Sequence, residues 1–176
     1  MKMNVPIISV EEGTDIEVRA VELLAKRGLT ITTAESCTGG LVAGRLVNVA
    51  GASRVFGRGF VTYANEAKEE ELGVKKSTLA RHGAVSKQTV KQMARGAAAH
   101  AKADVAIAVT GLAGPEGGTP EQPVGLVYIG IYYLGRVYWQ ECHFSGTRMQ
   151  IRQAAVVNSL HFLIALFSCN PETKGV

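Results

Sequence analysis

The chain has 176 residues, 47% of them hydrophobic, and its 19 Lys/Arg against 15 Asp/Glu give a net charge of +4. That length allows one domain with a substantial core, and basic residues scattered without any run of five argue against a nucleic-acid binder. Three cysteines (Cys37, Cys142, Cys169) and four dispersed histidines fit neither a disulfide framework nor zinc-ligand spacing, so no metal and a reduced, cytoplasmic setting are expected.

The opening MKMNVPIISVEEGTD is too short and too acidic for a secretion signal, and the apolar runs are interrupted, so no membrane span is expected. Residues 1–13 read as an N-terminal extension, 14–168 as the domain and 169–176 as a C-terminal tail. Thr14 and Glu17 have capping-box spacing before a helix carrying Ile16, Ala20, Leu23 and Leu24, which Gly28 is placed to end. LTITTA (29–34) reads as a strand, and GGLVAGRLV opens a helix. GRGFVTY (57–63) reads as a second strand, followed by a short helix capped by Asn65 and closed by Gly73. Ser86 caps a helix with Val90, Met93, Ala94, Ala97 and Ala101 on one face. DVAIAVTG (104–111) has the composition of a buried strand, and two long strands meet in a hairpin near Leu134-Gly135-Arg136. Thr147 and Gln150 form a second capping box, opening the last helix. This order predicts an α/β fold: a single three-layer α/β/α domain with a mixed sheet.

In such sheets ligands gather over the carboxyl ends of the strands, where three loops here are chemically rich. In Glu35-Ser36-Cys37-Thr38-Gly39-Gly40 a strand turns sharply into a helix, a setting for a nucleophile or for amides that hold an anion. Helix capping by Ser36 or Thr38 explains the same residues. Lys68, just past a strand end in YANEAK, is a candidate base if burial lowers its pKa from about 10.4 to roughly 7–8. A solvent-facing lysine paired with Glu69-Glu70-Glu71 is the plainer reading. The loop from Gly111 to Gly125 holds five glycines and three prolines and suits close approach of a ligand to backbone. Arg148 and Arg152, in the first turns of the last helix, are candidate phosphate clamps.

TTAESCTGGLVAGRL, GFVTYANEAKEEELGV, HGAVS and AVTGLAGPEGGTPEQPVGLVYIG resemble, in order, the signature blocks of the CinA C-terminal domain family, over nearly the whole chain. The resemblance implies a cofactor-free and metal-independent amidase that converts nicotinamide mononucleotide (NMN) to nicotinic acid mononucleotide and ammonia. It implies Ser36 as nucleophile and Lys68 as base, with Tyr63 and Thr110 as supporting hydroxyls. It implies that backbone amides around Thr38, Gly39 and Gly40 hold the oxyanion and that Arg148 takes the substrate phosphate, while Gly111 and Gly114 of the glycine-rich loop are further candidates for substrate binding. Glu35 is a candidate acidic wall for the cationic pyridinium ring. The expected partners are the small-molecule substrate and further copies of the chain, as a dimer or higher homo-oligomer, and neither nucleic acid nor membrane. Thr147 stands where the family usually has Asp, and Ala64 where it often has Ser. An inactive paralogue that binds a pyridine nucleotide is the alternative.

Overall fold

The computed structural model describes residues 1–169, so most of the expected 169–176 tail lies outside the described residues. Five strands form one sheet in the order β2-β1-β3-β4-β5. They are β1 (Ile31–Glu35), β2 (Phe56–Val61), β3 (Val105–Gly111), β4 (Leu126–Tyr133) and β5 (Arg136–His143). β1 pairs in parallel with β2 and β3, whereas β4 and β5 continue the sheet antiparallel. Six helices cover it: α1 (Ile16–Lys26), α2 (Leu41–Val47), α3 (Asn65–Leu72), α4 (Lys76–His82), α5 (Lys87–Ala101) and α6 (Arg148–Cys169). This is the expected α/β domain with a mixed sheet.

Side-chain alternation along β3 explains the two layers. Val105, Ile107 and Val109 face a large apolar core built with α1, α2 and α6. Ala106 and Ala108 face the other core, where Val90, Met93, Ala94, Ala97 and Ala98 of α5 pack. Alanines on both sides let α5 lie close to the sheet. α3 comes equally close to α5, because a Cβ on Gly96 would stand only 1.8 Å from the Leu72 carbonyl oxygen. Among the described residues, α6 alone would pass for a membrane span by length and composition, but most of it is buried against α1, α2 and the sheet.

Local signals resolve unevenly. Ser86 Oγ accepts the Thr89 amide as an N-cap, and Thr147 and Gln150 exchange hydrogen bonds as a capping box opening α6. Leu134 and Gly135, at φ 49° and 75°, make the tight hairpin turn. The box expected at α1 is absent: Thr14 donates to the Glu11 carbonyl, and Asp15 occupies the cap at φ 58°. At α3 the cap is Ala64, not Asn65. The expected N-terminal extension is not loose, since Met1 and Met3 bond Trp139 on the edge strand β5 and Ile8 exchanges two hydrogen bonds with buried Asn158.

The strand order creates a crevice. From β1 the chain runs to β2 on one side, whereas from β3 it runs to β4 on the other, so the connections diverge above the carboxyl ends of β1 and β3. Ligands favour such a switch point.

Candidate functional site

Ser36 follows the last residue of β1, and its amide still bonds Val109 O of β3. The chain then makes a tight turn closed by the Gly39 amide on Ser36 O, with Gly39 at φ 59° and Gly40 at φ 92°, conformations that glycine adopts without steric cost. Ser36 lies 9% exposed at the base of a cavity of about 250 Å³.

Lys68 enters from α3 and is 0% exposed. Its Nζ lies 3.1 Å from Ser36 Oγ, 2.8 Å from Thr62 O and 3.1 Å from Tyr63 O. No carboxylate pairs with it among the described residues. Burial therefore pushes its pKa below the usual lysine range, while Cys37 and Glu66 act in the opposite direction. The Cys37 opposition vanishes near neutral pH, because burial raises that thiol to about 11 and leaves it uncharged. The solvent-facing lysine paired with Glu69–Glu71 is thus overturned. A neutral amine can direct its two N–H groups at the Thr62 and Tyr63 carbonyls, leaving its lone pair for the Ser36 hydroxyl. A serine hydroxyl beside a buried amine of lowered proton affinity is the arrangement of an activated nucleophile.

The cavity walls bring together Ser36, Tyr63, Thr110, Gly111, Gly114 and Arg148. Arg148 bridges the mouth, donating to Gly114 O at 2.7 Å and to the Tyr63 hydroxyl at 2.9 Å.

The profile of the CinA C-terminal domain matches residues 13–167. The chain belongs to the CinA C-terminal domain family. It is 53% identical to a CinA-like protein of Kosmotoga olearia over 148 residues, 84% of this chain and 36% of that protein. A CinA-like protein of Dictyoglomus thermophilum is 49% identical over 153 residues, 87% of this chain and 37% of that one. The chain thus spans little more than a third of the length of these relatives. Among solved structures, the competence/damage inducible protein CihA from Agrobacterium tumefaciens aligns with a TM-score of 0.84 at 46% identity, covering 93% of this chain and 99% of that one. A competence-damaged protein (CinA) superfamily protein from Escherichia coli aligns at 0.87 and 35% identity, with the same 93% and 99% coverage.

In this CinA domain, Thr38, Gly39 and Gly40 do not line the cavity; they lie in the turn behind Ser36. The Gly40 amide, with those of Val42 and Ala43, bonds the Glu35 carboxylate at 3.0, 3.0 and 2.8 Å. Glu35 therefore fills the amino end of α2, which holds no amide for a phosphate or oxyanion there. It is no pocket wall either, being 0% exposed. In the turn, the Cys37 and Thr38 amides are the ones with no carbonyl or carboxylate of another residue among the described contacts. The buried Thr110 hydroxyl donates to Ala84 O at 2.9 Å, so its proton is engaged.

Arg152, a candidate phosphate clamp from its position, donates instead to Cys37 O at 3.0 Å and Thr38 O at 2.8 Å. It clamps the nucleophile turn. Sequence reasoning missed that role, and also Glu116, the carboxylate in the cavity wall. An arginine at the unfavourable, amino end of α6 was the signal for a special role, but not for which one.

Proposed function

We propose that this CinA domain is a serine amidase that hydrolyses NMN to nicotinic acid mononucleotide and ammonia. The observation that carries the reading is the buried, carboxylate-free Lys68 amine 3.1 Å from Ser36 Oγ.

Neutral Lys68 takes the Ser36 proton as Oγ adds to the carboxamide carbon. The Cys37 amide, next to the nucleophile and at the cavity, is the donor suited to the oxyanion. Lys68, now an ammonium, returns the proton to the departing nitrogen, so the C–N bond breaks and ammonia leaves an ester on Ser36. Water then adds to that ester, Lys68 again taking the proton and giving it to Ser36 Oγ as the ester C–O bond breaks, and the pyridine carboxylate is released. No proton needs Thr110 as a relay; its hydroxyl fixes the β3 end against the loop at Ala84.

Recognition is assigned to the rim. Two Arg148 donors are used internally, and the rest of its five can meet the substrate phosphate. The Glu116 carboxylate complements the cationic ring. Thr147 in place of the family's Asp still caps α6 and presents Arg148.

The test is ammonia and nicotinic acid mononucleotide release from NMN, without added metal. Wild type is expected to turn over, and Ser36→Ala and Lys68→Ala to lose more than about a thousandfold. A rise in melting temperature with NMN but no ammonia makes the protein a binder only. Turnover that survives Ser36→Ala and is lost in Cys37→Ala overturns the nucleophile.

A further inference from the structure

The basic residues, scattered along the sequence, are not scattered in space. α5 carries Lys87, Lys91 and Arg95 at four-residue spacing and has no acidic residue along its length. That spacing lines them up on one helix face, about 6 Å apart at a rise of about 1.5 Å per residue. Successive phosphates of a polynucleotide strand are separated by a comparable distance. Gln88 and Gln92 flank the row, and with Lys91 and Arg95 they line a shallow groove of about 290 Å³. An adjoining groove of about 550 Å³ adds Lys75 and His100.

The neighbouring strand extends this field. Trp139 of β5 has Lys2 Nζ 5.7 Å and Lys87 Nζ 5.8 Å from its ring centroid. The Met1 amino group, bonded to Val137 O at 2.7 Å, is close enough to Lys91, Arg136 and Arg95 for their charges to lower its pKa, after the larger effect of burial. Neither ion pair among the described residues involves these cations. Glu141 bounds the patch and is held by Tyr128 and His143, with Lys2 within electrostatic reach. Unneutralised cations in such a row repel a second copy of themselves, so the face does not suit symmetric self-association.

We propose that the α5–β5 face binds a polynucleotide through its phosphate backbone, with Lys87, Lys91 and Arg95 as the central contacts. The amide side chains of Gln88 and Gln92 can both donate to phosphate or sugar oxygens and accept from base edges. This binding is independent of Ser36 and Lys68 and reverses the sequence-based expectation of no nucleic-acid partner.

The test is fluorescence anisotropy of the full chain with a labelled single strand and a duplex of about 20 nucleotides, from about 50 to 200 mM salt. Binding is expected to weaken steeply with salt. The triple variant Lys87→Gln/Lys91→Gln/Arg95→Gln is expected to lose at least about tenfold in affinity and two to three units of log–log salt slope, roughly one per phosphate contact, with its melting temperature unchanged. Should the triple variant not fold, Lys91→Gln and Arg95→Gln singly are each expected to lower the slope by about one. No binding at low salt, or equal binding by the variants, overturns the proposal. So does equal displacement by polyglutamate of matched charge, or tighter binding to anionic lipid vesicles, which would make the face a site for acidic protein or membrane.

Discussion

The floor of the cavity and its rim are built on opposite principles. On the floor Ser36 is buried, and behind it Lys68 is buried too, Glu35 holds three amides and Arg152 holds two carbonyls. At the rim, Tyr63 is 62% exposed, and Glu116 and Arg148 are exposed as well. A group whose proton affinity must be shifted has to be desolvated and fixed, whereas groups that meet a charged ligand have to remain wet until it arrives. The floor should therefore govern the rate of bond making, and the rim the strength of binding.

Acidity tests the floor most severely. On the proposed mechanism Lys68 acts as base only when neutral, so lowering the pH below its depressed pKa should cost about tenfold in kcat per pH unit, with activity restored towards alkaline pH. A kcat with no acidic limb at any pH at which the protein stays folded would break the assignment of Lys68 as base. Next in size is Arg152→Ala. Release of the Cys37 and Thr38 carbonyls lets the turn and its amides drift, so kcat should fall by about a hundredfold with KM for NMN nearly unchanged. Steady-state kinetics that show the loss in KM would move Arg152 to the rim.

The rim should behave in the reverse way. Arg148→Ala is expected to raise KM for NMN by about tenfold or more and to leave turnover of nicotinamide riboside, which lacks the phosphate, unaffected. The smallest effect belongs to Glu116→Gln, a several-fold rise in KM for NMN. Inhibition by the uncharged carbon isostere, benzamide riboside 5′-phosphate, should not change. An equal loss for both ligands would show that Glu116 shapes the cavity instead of reading ring charge.

The sequence made the fold legible where local chemistry decides it. The Ser86 cap, the Thr147–Gln150 box, the hairpin turn and the apolar run of β3 need only neighbours in the chain. α4 escaped notice because its seven residues bury only Leu79 and carry little periodic signal. The site was legible as residue types and illegible as geometry. Asn-Glu-Ala-Lys-Glu-Glu-Glu-Leu reads as a polar surface helix, and Lys68 is buried only because α3 packs on α5 and its amine reaches in to Ser36 beyond β1. Glu35 and Arg152 likewise have functions set by segments that fold back on them from elsewhere, and the cationic row on α5 gains Lys2 and Arg136 only through the sheet.

Gly96 carries a consequence for heredity. Any side chain there would collide with the Leu72 backbone and lever away the helix that bears Lys68 one turn earlier. In a library of random point variants sorted for lost turnover, codon 96 should therefore score alongside the codons for Ser36 and Lys68, although its product lies outside the Ser36 cavity. If turnover is by Ser36 and Lys68, catalytic competence is thus inherited through a position recognisable only by what it lacks.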